Sequence, residues 1–349
     1  MTAVSSTAPD VQAVIAGRRR RARRRTVVVI VLAAVVAALF ATSIMVGSTF
    51  YGPDVIIRVL LGEQVPGASF SIADRRLPRA AMAVLVGVAF GMAGATFQTL
   101  LRNPLASPDI IGVSFGASAA AVIGIVFFSV SGLALSALAL GGALATALAI
   151  YLLSIRGGFA GTRLILIGIG LAAMLQSIVT YALSRAAAWD LQSAMRWLTG
   201  SLNSASAESL TPLALAAVVL VPLLALQSRS LHALRIGDDV AAALGVKVDR
   251  TRLALILGAV ALLAFATAAA GPIAFVAFMA GPIAARLVGA GSSPLVPAGL
   301  VGAVLVLAAD LVGQYALPTV YPVGVITGIL GAPYLIALLI RTNRTGGSL

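Results

Sequence analysis

A chain of 349 residues that is 60% hydrophobic and only 10% charged is not a soluble globular domain, because apolar runs of eighteen or more residues span a bilayer as helices. The absence of cysteine and the single histidine, His232, exclude disulfides, thiolate chemistry and a multi-histidine metal site within this chain. The net charge of +13 sits in short segments flanking apolar runs, which speaks for membrane topology rather than nucleic acid.

Residues 1–25 read as a disordered basic N-terminus, with seven arginines between Arg18 and Arg25 that set topology and bind anionic lipid. The apolar run from Thr26 to Val46 is too long for a signal-peptide core and lacks a convincing cleavage site, so it reads as an uncleaved first helix. Residues 47–75 form an outside loop with Gly52-Pro53 and Pro66-Gly67 turns. A second helix covers about Pro78 to Leu101, with proline in its first turn. Arg102-Asn103-Pro104 breaks the chain, and Ser107-Pro108-Asp109 restarts it as cap, first position and dipole partner. Helices follow at about 109–129, 133–155 and 163–184, with Arg156-Gly157-Gly158 as an inside turn. An outside segment, 185–208, carries Trp189 and Trp197 in the manner of interfacial aromatics. Further helices lie at about 210–227, 253–270, 273–288, 295–313 and 320–340, before a short tail, 341–349.

The reading is an all-α integral membrane protein with a ten-helix domain, 26–340, and both termini in the cytoplasm. On that topology inside segments hold 18 Lys plus Arg and outside segments hold 6, the asymmetry insertion favours. Gly87-x-x-x-Gly91 and Gly112-x-x-x-Gly116 allow helix backbones to approach closely.

The longest charged interruption is the cytoplasmic segment 228–252. Within it Gly237-Asp238-Asp239 reads as a helix start, Val240 to Leu244 as one or two turns, and Gly245 as the stop. The alanine tip, Ala241, Ala242 and Ala243, flanked by Arg235, Lys247, Arg250 and Arg252, fits either a cleft on a soluble partner or a basic loop on anionic headgroups. Spacing alone leaves both open.

No G-x-x-x-x-G-K-[ST] loop and no credible catalytic cluster is present, so neither ATP binding by that device nor enzymatic chemistry is expected of this chain. Asp310 is the main ionisable group within a helix; a carrier coupled to an ion gradient would rely on it, whereas a structural hydrogen bond is the plainer role. Gln98, Asn103, Pro104, Gln176 and Gln314 either line a path or hold helices together. Arg75, Arg76 and Arg79 lie outside, at the unfavourable end of a helix dipole. They call for compensation by an acidic partner, by Asp74 or by lipid phosphate.

Taken together, several stretches resemble the FecCD family of bacterial ABC-importer permeases, which includes vitamin B12 and ferric-siderophore permeases. They are Arg76-Leu77-Pro78-Arg79, Gln98, Arg102 to Gly112, Trp197 with Gly200-Ser201-Leu202, and Gly237-Asp238-Asp239 with Leu244-Gly245-Val246. Ala270 to Val276, Ala308-Ala309-Asp310, Pro322 to Val325 and Gly331 complete the set, which spans roughly 75–340. The wording from Gly237 through Leu253 is especially similar to one permease subunit of ferric-enterobactin importers.

The resemblance implies the ten-helix type II importer permease fold, in a dimer with a second permease subunit, in the bacterial cytoplasmic (inner) membrane. It implies a separate cytoplasmic ATPase dimer that carries ATP and Mg, and an extracytoplasmic siderophore-binding protein. Gly237 to Val246 would be the coupling helix in an ATPase cleft. Arg76 and Arg79 would meet carboxylates of the binding protein, and a largely uncharged path would form at the dimer interface. No metal and no cofactor is expected in this chain itself. The function implied is ferric-siderophore import, with haem or cobalamin import as the alternative and an ion-coupled carrier as the rival from another class. Two departures stand out: many relatives carry an arginine where Gln314 stands, and their Ala-Pro-His-Ile-Ala-Arg reads here Ala280-Gly281-Pro282-Ile283-Ala284-Ala285, followed by Arg286.

Overall fold

A computed structural model describes residues 11–107, 112–154, 161–289 and 291–344, and every regular element among them is helical. In chain order these are α1 (Val11–Met45), α2 (Pro53–Leu60), α3 (Leu77–Leu100), α4 (Val113–Phe128), α5 (Gly132–Ser154), α6 (Gly161–Arg185) and α7 (Ala188–Leu198). They continue with α8 (Ala207–Leu226), α9 (Ser228–Ile236), α10 (Asp238–Ala243), α11 (Val248–Ala270), α12 (Val276–Val288), α13 (Leu295–Leu311) and α14 (Val323–Arg344). Wide π-type turns at Phe70–Arg76 and Val312–Ala316 lead into α3 and out of α13. Eight helices are long and apolar enough to cross a membrane, and α4 and α12 are shorter apolar helices. All ten expected apolar segments are therefore helical.

The bundle is built around α3, whose largest side chains, Met82, Phe90, Met92 and Phe97, are fully buried. Its principal neighbours are α13, α12 and α11. In a bilayer helix association depends on close packing rather than on hydrophobic transfer. Accordingly a Cβ at Gly87 would strike the backbone of Gly302 and Ala303, and a Cβ at Gly302 would strike Gly87 in return. The predicted small-residue face of α3 thus meets α13 backbone to backbone.

Five features differ from expectation. The first helix begins at Val11, so residues 11–25, expected to be disordered, are helical: arginine and alanine are good helix formers and continue the apolar helix. Helix α12 starts at Val276 because the chain after Gly271-Pro272 leaves helical geometry and Phe275 adopts φ 63°. The outside loop holds α2, and the outside segment 185–208 holds α7. The helical run into α3 starts at Phe70, so Arg75, Arg76 and Arg79 do not face a free helix N-terminus. Most of the Ser107-Pro108-Asp109 restart, including Asp109, and the Arg156-Gly157-Gly158 turn lie outside the described residues; α4 itself begins after Gly112.

Candidate functional site

The tertiary structure gathers the polar features at the two ends of the bundle, with an apolar groove between. At the basic end α9 and α10 form a compact bracket between α8 and α11. Leu231 and Leu234 of α9 and Ala241 of α10 point into the core and fix its orientation. Helix α10 begins at Asp238, as expected, with Asp238 and Asp239 in its first turn. Its mechanism differs from the one expected, since no side chain caps the first turn. Instead the Asp238 carboxylate accepts from Arg102 at 3.0 Å and from Arg252 at 2.8 Å, and Arg102 also donates to the Leu234 carbonyl at 3.0 Å. One carboxylate therefore ties α10 to the end of α3 and the start of α11.

The stop at Gly245 has a definite geometry. Gly245 N–H donates to Ala242 O at 2.9 Å and Val246 N–H to Ala241 O at 3.0 Å, the paired closure of a Schellman turn. Gly245 has φ +82°, a conformation that costs any other residue about 1–2 kcal/mol. The closure leaves Val240, Ala242, Ala243 and Leu244 exposed on one knob, while Ala241 is its buried underside. Nothing within 4 Å would oppose a Cβ at Gly245. An apolar tip of small residues is thus presented at the surface near the exposed Arg235 and Lys247. Nearby, burial and then the Arg235 cation hold the His232 imidazole below its ordinary pKa.

At the opposite end the arginines are engaged within the chain. Arg76 is 8% exposed; it donates to the carbonyls of Ile44 (2.9 Å), Met45 (3.0 Å) and Thr49 (2.7 Å), and its guanidinium lies 4.7 Å from the Tyr51 ring centroid. Arg79 makes a two-pronged pair with Asp310, Nε to Oδ2 at 2.8 Å and Nη2 to Oδ1 at 2.7 Å. Within the chain, Arg76 is therefore met by backbone carbonyls and Arg79 by Asp310 rather than by Asp74. The Asp310 charge is met by Arg79 of α3. Arg75 is the exposed member of the three, over the ring of Phe70. Gln314 donates to Asn203 Oδ1 at 3.0 Å. Three of the motif stretches meet here: Ser201 N–H donates to Ala270 O at 2.8 Å, and Gly324 N–H to Gly200 O at 3.1 Å. Trp189 is exposed as expected of an interfacial aromatic, whereas Trp197 packs partly into the core.

Between the ends runs a groove of about 700 Å³ along α4, α6 and the 272–275 crossing. Its polar lining is uncharged: Ser107, Ser114, Ser118, Gln176 and Thr199 among apolar side chains such as Phe275 and Phe278. Of the six path-or-packing candidates only Gln176 lines it. Gln98 is a buried packing residue that donates to Phe278 O at 3.0 Å and occupies the space left by Gly281. Asn103 closes its own turn, accepting from Leu105 N–H at 2.8 Å, and with Pro104 borders a smaller cavity of about 290 Å³ near Arg102 and Arg235. Sequence reasoning passed over Ser114 and Ser118, and it held Phe275 only as part of the Ala270 to Val276 stretch, without a place on the groove. The first two are four residues apart on one helix face, a spacing that could have marked them.

Comparison with known proteins identifies the family and the fold. Residues 32–341 match the FecCD transport family. The chain is 40% identical over 290 residues to the ferric enterobactin transport system permease protein FepG of Escherichia coli K12, covering 83% of this chain and 88% of that one. It is 38% identical to the achromobactin transport system permease protein of Dickeya dadantii, over 88% and 89% of the two chains. The vitamin B12 import system permease protein of Vibrio cholerae is 37% identical, over 77% and 82%. A solved structure described as an inward-facing conformation of a metal-chelate type ABC transporter superposes with TM-score 0.80 at 26% identity, over 90% of this chain and 98% of the other.

Proposed function

Since the chain belongs to the FecCD transport family and is a multi-pass ABC transporter permease subunit rather than an enzyme, we propose that it carries ferric siderophores inward across the bacterial cytoplasmic membrane. The observation that carries the mechanism is the projecting α10 knob at the basic end. The positive-inside tendency assigns that end to the cytoplasm, with both termini there and ten crossings in all. An ATPase pair that binds ATP and Mg²⁺ receives the α10 knob in a cleft. Its closure moves α10, and the Arg102–Asp238–Arg252 clasp passes the motion to α3 and α11. A second permease subunit, a paralogue as in paired enterobactin-type systems, completes the path by closing the groove along α4 and α6. No bond in the cargo is made or broken.

The siderophore class follows from relatives whose described cargo is ferric enterobactin or achromobactin, and an uncharged, mostly apolar groove suits a bulky chelate that must not be trapped by fixed charge. An external binding protein docks at the opposite end. Arg75 is available there as the chain stands, and Arg76 and Arg79 become available when their internal contacts open.

The test is radioiron uptake in a strain lacking this gene and its redundant importers, with catecholate and hydroxamate siderophores and with haem-iron and labelled cobalamin alongside. Loss of one ferric siderophore alone, restored by the wild-type gene, is the expected result; loss of haem or cobalamin uptake instead would replace the cargo. Ala242→Phe should insert normally, because Ala242 is exposed, yet restore less than a tenth of the uptake while the ATPase still turns over. Full uptake by that variant would remove α10 from the coupling role.

A further inference from the structure

The arginine-rich start of α1 is not a loose tail. Arg24 donates from Nε to Leu287 O at 2.9 Å and from Nη2 to Arg286 O at 3.1 Å, which caps the last carbonyls of α12 with a cation. Arg21 passes over Gly291, where a Cβ would lie 3.2 Å from the Arg21 Cδ. So placed, Arg18, Arg21 and Arg25, spaced three and four apart, turn one helix face toward α9. There they share a cavity of about 420 Å³ with Arg229, His232 and the serines of the α12–α13 turn. Four guanidinium groups line it and no carboxylate does. Among the described residues none of the four is in an ion pair. Like charges facing a common cavity raise its energy unless an anion enters.

We propose that this seam between α1, α9 and the α12–α13 turn is a binding site for the phosphate of an anionic phospholipid. The choice of a lipid over a soluble phosphate rests on position. The apolar stretch of α1 starts at Thr26, directly after the last lining arginine. The cavity therefore sits at the level where the apolar layer of the membrane begins, which is the depth of a lipid phosphate. Ser292 and Ser293 supply neutral hydroxyl donors to the remaining phosphate oxygens. The bound phosphate bridges α1 to α9, and α9 leads through Gly237 into α10. Occupancy braces the segment that carries the knob; this consequence rests on the coupling role given to α10, whereas the binding site does not.

The full-length chain would be reconstituted in phosphatidylcholine nanodiscs with or without phosphatidylglycerol, and the retained anionic lipid counted by native mass spectrometry. Arg18→Gln, Arg21→Gln and Arg25→Gln together should abolish retention, each contributing about fivefold. Arg19→Gln, Arg20→Gln and Arg23→Gln together remove the same charge from the same helix but not from the cavity, and should retain the lipid. Equal loss in the two triple variants would reduce the site to diffuse attraction and overturn the proposal. Arg229→Gln alone, on the far wall, should cost about fivefold even if the triple variants insert poorly; unchanged retention there also overturns it. Inorganic phosphate that protects the cavity as well as the lipid does would assign it to a soluble anion instead. Loss of the lipid from the cavity variants with unaltered ATPase coupling would leave the site intact and remove only its bracing role.

Discussion

The two ends of this bundle treat the same chemical groups in opposite ways. At the end away from α10, the outer end on the proposed topology, arginine and aspartate are drawn inward: the Arg79 and Asp310 side chains are 20% and 5% exposed, and Arg76 is spent on three backbone carbonyls. At the basic end a comparable arginine–aspartate clasp stays open to solvent, with the Asp238 side chain 47% exposed. The difference is one of stiffness. A desolvated pair is expensive to separate, and holds α3 and α13 in one arrangement. A solvated pair can exchange its partners for water at little cost, which suits a joint that must move. The same contrast governs the helices around each clasp: α3 and α13 meet backbone to backbone, whereas α10 touches the body chiefly through Ala241.

Breaking the outer pair should therefore have the largest effect. Asp310→Ala leaves the Arg79 cation inside without its partner and should cost about 3–5 kcal/mol, read as a sharp fall in the midpoint of thermal unfolding in detergent. Adding Arg79→Met to that variant should recover much of the loss, since the burden is the orphaned charge; a purely additive result would show that the two residues act separately. The same experiment weighs the ion-coupled carrier, because uptake that survives Asp310→Asn in a still-folded chain leaves no role for that proton.

At the basic end the expected effects on stability are smaller and those on function larger. Asp238→Ala should change stability by no more than about 1 kcal/mol, since both of its pairs are exposed on at least one side. Transport per ATP hydrolysed should nevertheless fall several-fold, because α10 loses its tie to α3 and α11. Undiminished coupling in Asp238→Ala would place the relay elsewhere. The smallest effect concerns His232, which burial and Arg235 hold below its usual pKa. A folded pKa below the unfolded one means that the unfolded chain binds more protons between the two values. Stability is then flat above about pH 6.5 and declines as pH falls through the interval below it. As the chain's single histidine, His232 gives one imidazole resonance, and in the absence of anionic lipid or phosphate a midpoint above 6.5 would contradict the burial described here.

Much of this was legible in the residue order. Apolar runs announced every bundle helix, since a segment without charges must satisfy its backbone internally in lipid. Gly237-Asp238-Asp239 and Gly245 bracketed α10 because start and stop chemistry is local. Other features were hidden. Residues 11–25 looked too charged to be ordered, yet they are helical and Arg24 is held by carbonyls more than 260 residues away. Gln98 and Gln176 have the same side chain in similar surroundings, but one packs against α12 and the other lines the groove.

The sequence by itself determined that this is a polytopic, all-helical membrane protein, which end is basic, and that one short capped helix interrupts its longest charged segment. Those properties depend on composition and on neighbours within a few turns. Only the tertiary structure decided which charges are spent inside and which face outward. Arg79 finds its partner 231 positions away, and Arg102, Asp238 and Arg252 converge from three separate elements. Such partnerships depend on how helices cross, and crossing is set by close backbone contacts such as Gly87 on Gly302, which no local pattern specifies.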